Sequence, residues 1–342
     1  MGIGSHFGRW TAGLALGFGL AFSTALPAHA SGASSVDQAF DQILGTDMRA
    51  PRTFDLQFNT PLEQLVGQIA DGSKGRIGVA AVDLATGEQV SVLGDQRFPM
   101  ASTSKIAIAA TFMQGVEDGR WTLTSEFPMM VPVRSEPFSS AVAPVRPGRY
   151  YQAVDLIEMM ITRSNNEAAD ALLKVVGGPK AVNAWVHAHG VENFHIDRDI
   201  ATLVRDDGAV DPASHIETRD SATPKAMVKL LTDLYQGKVL SDSSRQVILG
   251  AMERCRTGVR RIKALLPDDA IVAHKTGSLH NTSSDIGLVK APNGHTIAVA
   301  IYVTGQGSRL ARESKIAHIA LTLYDGYTGE TDSGRQYASA NY

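Results

Sequence analysis

The chain carries one cysteine, Cys255, in 342 residues. That excludes an internal disulfide and any cluster of thiolate metal ligands. Aromatic side chains are few, at 6%, while alanine and glycine are many. No run of five like charges occurs and the formal net charge is −3, so nothing favours a nucleic-acid partner. Beyond the first thirty residues no segment is long and apolar enough to span a membrane. Met252-Glu253-Arg254-Cys255 reads as the end of a helix, so Cys255 is expected to be a buried structural thiol and not a nucleophile.

The N-terminus has a different character. Arg9 and His6 give a weakly basic start, Thr11 to Leu26 is almost wholly small and apolar, and Pro27 breaks the run before Ala28-His29-Ala30. This three-part layout predicts a secretory signal over 1–30, cleaved after Ala30. An uncleaved anchor is the alternative, but the run is short for a span and no stop-transfer charges follow. A periplasmic or secreted protein is expected, with no stable membrane span after cleavage.

Residues 31–59 read as a polar, irregular arm. Leu62, Leu65, Val66 and Ile69 recur at helical spacing. Ile77 to Asp83 and Gln89 to Leu93 flank turn residues and predict a hairpin. Ser102 to about Glu117 reads as a helix. Residues 121–150 hold five prolines and predict extended connections. Helices follow at Val154 to Ile161, Glu167 to Val176 and Lys180 to Ala188. Residues 191–220 are rich in Asp and Arg with weak periodicity, a loop long enough to be either disordered or functional. Helices return at Pro224 to Tyr235 and Asp242 to Arg254. Ala270 to Lys275, Ser284 to Lys290 and Thr296 to Val303 are strand-like, and Leu310 to Tyr324 closes the chain as a helix. The fold class expected is α/β plus all-α. An antiparallel sheet from 60–97 and 256–327 is flanked by helices, and a mainly helical domain, 98–255, is inserted beside it. Residues 328–342 form a loose tail.

Three short motifs could carry chemistry. In Ser102-Thr103-Ser104-Lys105, a helix starting at Ser102 puts Lys105 one turn on, on the same face. A serine hydroxyl is a poor nucleophile without a base beside it, and a lysine supplies one if burial or nearby cations keep it partly neutral. The plain alternative is a helix cap with a solvated lysine. Lys275-Thr276-Gly277-Ser278 ends a strand, where Lys275 can bind a carboxylate, the hydroxyls can donate, and Gly277 permits close approach to the strand edge. The alternative is a surface turn. Ser164-Asn165-Asn166 breaks two helices, where a serine could relay a proton and an asparagine could bind an amide. The alternative is a capping box with Glu167.

Together and in this order, the three motifs resemble those of the class A serine β-lactamase family, which shares them with penicillin-binding proteins. Phe98-Pro99-Met100-Ala101-Ser102-Thr103-Ser104-Lys105 is similar to the family's nucleophile segment. Ala273-His274-Lys275-Thr276-Gly277-Ser278 resembles its Lys-Thr-Gly strand, and Arg219-Asp220-Ser221-Ala222-Thr223-Pro224 the end of its Ω loop. The resemblance spans roughly residues 60–325. It implies that Ser102 is acylated, Lys105 assists its deprotonation and Ser164 passes a proton to the β-lactam nitrogen. It further implies that Asn166 holds the substrate's side-chain amide and that Lys275 and Thr276 bind its carboxylate. The backbone N–H groups of Ser102 and Ser278 would form the oxyanion hole. Arg261 matches an arginine that some members place beside the substrate carboxylate. No cofactor and no metal are implied. The partner is a small β-lactam, with a peptidoglycan peptide the other candidate, and a monomer is expected.

Two departures matter. Asn165 stands where the family usually has a mainly structural aspartate. More seriously, Asp197-Arg198-Asp199-Ile200 puts Ile200 where the family has the glutamate that activates the deacylating water. The loop from Arg198 to Asp220 is also longer than usual. It holds Asp199, Asp206, Asp207, Asp211 and Glu217 as unranked substitutes, and Arg198 with Asp220 could pin its ends. Without a base the acyl-enzyme persists, as in a D-alanyl-D-alanine peptidase or transpeptidase, and a non-hydrolytic β-lactam or muropeptide binder is a third possibility. His187, His189 and His195 suggest a metal cluster only superficially, because positions i and i+2 on a helix diverge. His274 and His280 flank the Lys-Thr-Gly segment and read as strand surface.

Overall fold

The computed structural model describes residues 46–49, 59–72 and 74–329. The proposed signal segment lies outside them, as does most of the arm and of the tail. In chain order the elements are β1 (Thr46–Arg49), α1 (Pro61–Ile69), β2 (Ile77–Asp83), β3 (Gln89–Val92) and β4 (Phe98–Pro99). A 3-10 turn (Ala101–Ser104) leads into α2 (Lys105–Glu117), followed by β5 (Glu126–Pro132), β6 (Val145–Gln152), α3 (Ala153–Thr162), α4 (Asn166–Val176) and α5 (Pro179–Ala188). Then come β7 (Phe194–His195), α6 (Ile200–Arg205), β8 (His215–Glu217), β9 (Ser221–Ala222), α7 (Pro224–Tyr235) and α8 (Asp242–Glu253). A short 3-10 turn (Ile262–Ala264), β10 (Ile271–Leu279), β11 (Thr282–Lys290), β12 (Thr296–Thr304) and α9 (Arg309–Thr328) complete the chain.

Strands from the two ends of the sequence meet in one antiparallel sheet of order β10-β11-β12-β2-β3. The first crossing is β12 against β2, with Ile301 opposite Val79. Every residue of β12 is buried, which requires cover on both faces. One face packs Val79, Val299 and Ile301 against Ile316, Ile319 and Leu323 of α9, with Val66 of α1 beside them. The other face packs Ala80, Ala300 and Tyr302 against the helical layer through Phe98, Ile106 and Met227. This is the expected class: an antiparallel sheet with helices on both faces, the larger helical layer on one side.

Four local expectations are corrected. Within the arm, Thr46–Arg49 is a strand paired with β8. The helix begins at Lys105, because Ser102 sits in the preceding 3-10 turn. The final helix continues past Tyr324 to Thr328, the first residue of the expected tail. Residues 191–220 are structured: they contain β7, α6 and β8, and are fastened at several points. Arg76 donates through Nη2 to Pro212 O at 2.9 Å and to His215 O at 3.1 Å. The Ala143 amide donates to Thr202 Oγ1 at 2.8 Å. Asp199 caps α6, accepting from the Thr202 amide at 2.7 Å. The short helix hid from sequence periodicity because six residues hardly span two turns.

The sheet-to-α9 contact should dominate stability on its side. Ile316 is fully buried, so Ile316→Ala should lower unfolding free energy by about 2–5 kcal/mol. Leu310, exposed on the same helix, should tolerate alanine within about 0.5 kcal/mol. Urea unfolding of the two variants checks the contrast.

Candidate active site

The site is assembled where the 3-10 turn, the α3–α4 break and the end of β10 converge. Ala101, immediately before Ser102, adopts φ 49°, and Ser164 adopts φ 56°. Non-glycine residues held at positive φ cost of order 1–3 kcal/mol and persist only where the surroundings impose them. Here the surroundings are visible. The Met100 amide donates to Asp220 O at 3.0 Å, and the Thr103 hydroxyl bonds to Met100 O at 2.7 Å and meets Tyr302 Oη at 3.1 Å. Gly277 lies against this turn. A Cβ there would stand 2.7 Å from Met100 O and press on Ser284 Oγ, so the third residue of Lys-Thr-Gly must lack a side chain for the turn to approach β10.

Ser164 organises the centre. Its carbonyl accepts from Lys105 Nζ at 2.8 Å, and Asn166 Oδ1 accepts from the same amine at 2.6 Å. Its hydroxyl lies 3.4 Å from Lys105 Nζ and accepts from Lys275 Nζ at 2.9 Å. Lys275 also donates to Thr276 O at 2.8 Å. Both lysines are fully buried. Burial, then the neighbouring Lys275 cation, holds the Lys105 pKa well below that of an ordinary lysine. Burial lowers that of Lys275 to about 8. The lowered pKa makes the neutral form of Lys105, whose lone pair can accept a proton, easier to reach than in an ordinary lysine, the property a serine activator needs.

The alternative of a capping box at Ser164 is not what forms: the cap is Asn165, whose Oδ1 accepts from the Ala168 amide at 2.7 Å. Ser164 is thereby freed to face the lysines. Asn166 opens α4 with its amide nitrogen uncommitted to Lys105. Thr276 Oγ1 meets Thr257 Oγ1 at 2.6 Å. Ser278 is exposed, and its hydroxyl accepts from Arg261 Nη2 at 2.7 Å. Arg261 is itself buried, donating to Gly277 O at 2.8 Å and Ser284 O at 2.7 Å and pairing with Glu313 at 3.2 Å. Its guanidinium therefore braces the Lys-Thr-Gly strand from within.

His274 is not strand surface. It is buried, and Nδ1 bonds to Asp285 at 2.9 Å. Gly287 lies opposite it across β11, and the missing side chain makes the room. Burial opposes a charge on His274, but Asp285 outweighs it and lifts the pKa to about 10. Cys255 is buried, with Sγ 3.3 Å from Thr257 Oγ1. His280 is exposed, and its amide donates to Asp207. His187 bonds to Phe194 O, His189 to Trp185 O and His195 to Asp197, and among the described residues no three potential ligands are placed to hold a metal.

The long loop is pinned as its composition suggested. Arg198 Nε donates to Asp220 Oδ2 at 2.5 Å, while the Asp197 and Arg198 amides donate to Asp220 Oδ1. The unranked carboxylates are each engaged there. Asp199 caps α6; Asp206 pairs with Arg205 at 2.7 Å and accepts from the Phe138 amide. Asp207 and Asp211 hold His280 and Asn281 of the β10–β11 turn. Glu217 pairs with Arg198 and Arg219. Ile200 is buried.

A carboxylate that the sequence reading passed over interacts electrostatically with Lys105. Asp170 is four residues after Asn166 on α4, on the same face. It is 5% exposed and accepts from the Ile200 amide at 2.6 Å and the Ala201 amide at 2.8 Å. Burial and the charge of Asp199 raise its pKa to about 7, against those amides and Lys105. Its spacing from Asn166 is the one signal that could have marked it.

The titration of Lys275 has two consequences. Its folded pKa of about 8 lies below its ordinary 10.5, so between those values the unfolded chain binds more protons and stability contributed by this group rises with pH. Below about 8 it is a cation open to an anionic ligand. Binding of a small carboxylate should therefore weaken as pH rises through about 8, measured by calorimetry; affinity constant to pH 10 would contradict this.

The family model of the beta-lactamase enzyme family matches residues 61–327. An imipenem-hydrolyzing beta-lactamase of Enterobacter cloacae is 27% identical over 82% of this chain and 94% of its own length. A beta-lactamase of Proteus vulgaris is 28% identical over 72% and 89%. Among solved structures, a beta-lactamase from Chitinophaga pinensis superposes with a TM-score of 0.69 at 26% identity, over 78% of this chain and all of that one. An ancestral class A beta-lactamase gives 0.67 at 32% identity, over 78% and 99%. With a family match across the whole sheet and helical layer, the chain belongs to the class A serine β-lactamase family.

Proposed function

We propose that this protein hydrolyses β-lactams through an acyl-enzyme on Ser102, as an exported enzyme whose residues 1–30 are removed. The observation that carries this reading is the Lys105–Ser164–Lys275 arrangement. A desolvated amine next to Ser102 draws off the hydroxyl proton, and Ser102 Oγ adds to the β-lactam carbonyl. The proton moves through Ser164 to the ring nitrogen as the C–N bond breaks. Lys275 and Thr276 hold the substrate carboxylate. Asn166 uses its free amide nitrogen for the side-chain carbonyl. The Ser102 and Ser278 amides receive the oxyanion, and Arg261 acts by fixing the Ser278 hydroxyl and its strand. The enzyme works as a monomer without a cofactor or metal.

One observation favours a second reading. Ile200 stands at the family's usual place for the deacylating base and is buried, which suits a peptidoglycan D-alanyl-D-alanine peptidase that releases its acyl group slowly. Incubating the mature protein with a chromogenic cephalosporin while following turnover and intact mass separates the two. Sustained turnover is expected, and Ser102→Ala should lower it at least ~10³-fold and form no adduct. A one-equivalent burst with a lasting adduct would support the peptidase, and no adduct at all would remove serine acylation.

A further inference from the structure

Thr276 Oγ1 and Thr257 Oγ1 stand 2.6 Å apart, so a hydrogen lies between them. Thr276 is buried, and its methyl is turned to Gly258, where an added Cβ would press on Thr276 Cγ2. Its hydroxyl is thereby left facing Thr257. Beyond Thr257 lies the thiol of Cys255, with Sγ 3.3 Å from Thr257 Oγ1 and 3.9 Å from Thr257 O. The segment that carries both is anchored on either side. The Arg256 amide donates to Thr162 O at 2.9 Å, and the Arg261 amide to Gly258 O at 2.9 Å. Side chains from the loop after α8 and from β10 thus form a line. It starts at a buried thiol and ends at the Thr276 hydroxyl.

Counting hydrogens gives this line a direction. A carboxylate only accepts, so Thr276 gives its one hydroxyl hydrogen to the substrate. The contact with Thr257 then needs the hydrogen of Thr257, and the contact with Sγ needs the hydrogen of the thiol. Three contacts take three hydrogens, and the two threonines carry two. We propose that Cys255 and Thr257 are positioning residues for substrate binding: the thiol donates to Thr257, Thr257 to Thr276, and Thr276 to the substrate carboxylate. This rests on the reading above that Thr276 holds that carboxylate. A thiolate would instead accept from Thr257. With a carboxylate at the far end, the two threonine oxygens would then face each other with no hydrogen between them. Bound carboxylate and thiolate therefore disfavour one another, and binding favours the thiol. In the free protein burial opposes ionisation of Cys255, but hydrogen bonding and charge from His274 outweigh it, with Thr257 adding to them, and bring the pKa to about 7. His274 and Lys275 of β10 stand on the strand side of the thiol, with Asp285 of β11 bonded to His274. On the helix side Arg254 and Arg256 act on Glu158 of α3.

The chain has one cysteine, so the S–H band of its Raman spectrum reports Cys255 alone. In Ser102→Ala protein, which leaves the cephalosporin intact, binding should lower the S–H stretching frequency. It should also raise the midpoint at which the band disappears by about 1 pH unit. Neither change should occur when Thr257→Val is added. With Ser102 in place, acylation followed by intact mass gives a second readout. Thr257→Val should raise the half-saturating cephalosporin concentration about 3- to 10-fold and leave the limiting rate within about 2-fold. Cys255→Ala should act in the same direction, while Thr257→Ser and Cys255→Ser, which keep a donating hydrogen, should stay near the parent. For the cephalosporin methyl ester, a weaker acceptor, Thr257→Val should change the half-saturating concentration less than about 2-fold. An S–H band indifferent to the ligand overturns the proposal. So does a Thr257→Val defect equal for acid and ester, which is what a residue that only shapes the loop would give. If Thr276→Val leaves the half-saturating concentration of the acid unchanged, the carboxylate reading itself fails, a different result from either.

Discussion

One hydroxyl, that of Ser164, stands between two buried lysine side chains, and the surrounding structure is arranged to keep it there. Lys105 and Lys275 come from the helical layer and the sheet, and meet where these pack together. Two desolvated cations this close disfavour each other's charge. The shared hydroxyl accepts from Lys275 and lies within reach of Lys105. Positive φ at Ala101 and Ser164 adds to that cost, and polar bonding nearby offsets it: the bonds of both lysines, a cap at Asn165, and a glycine at 277 that lets the turn close on the strand.

The same logic extends outward. Arg261 is buried behind β10 and ties Ser278, Gly277 and Ser284 to Glu313 of α9. His274 and Asp285 form a second buried pair across β10 and β11. The end of β10 from Lys275 to Ser278 is thus held by buried charged groups, and removing one of them leaves its partner buried and uncompensated. The long loop is fixed to the β10–β11 turn through Asp207 and Asp211 and to its own start through Asp220, so it is an ordered segment.

Much of this was legible in the sequence. The strands declared themselves by apolar runs bounded by turn residues, and the three motifs by spacing, because each keeps its functional residues within one helical turn or one strand end. Ser102 and Lys105, Ser164 and Asn166, and Lys275 through Ser278 all come to one place. The rest depended on contacts between distant residues. His274 reads as surface until Gly287 is placed opposite it. Arg261 is marked in the sequence only by its match to a family arginine, and its bonds to Ser278, Gly277 and Glu313 emerge only in the fold. Asp170 belongs to no motif, and only the amides of Ile200 and Ala201, thirty residues away, show why an acidic residue lies inside the helical layer. The 191–220 segment looked irregular because its order comes from Arg76, Ala143 and the β10–β11 turn and not from local periodicity.

The central claim is that burial beside the Lys275 cation holds the Lys105 pKa well below that of an ordinary lysine. Heteronuclear NMR titration of the Lys105 side chain tests this most directly. The account predicts a titration midpoint well below that of an ordinary lysine, moving upward when Lys275→Met removes the neighbouring charge. A Lys105 that titrates as a solvent-exposed lysine does, indifferent to residue 275, would contradict it.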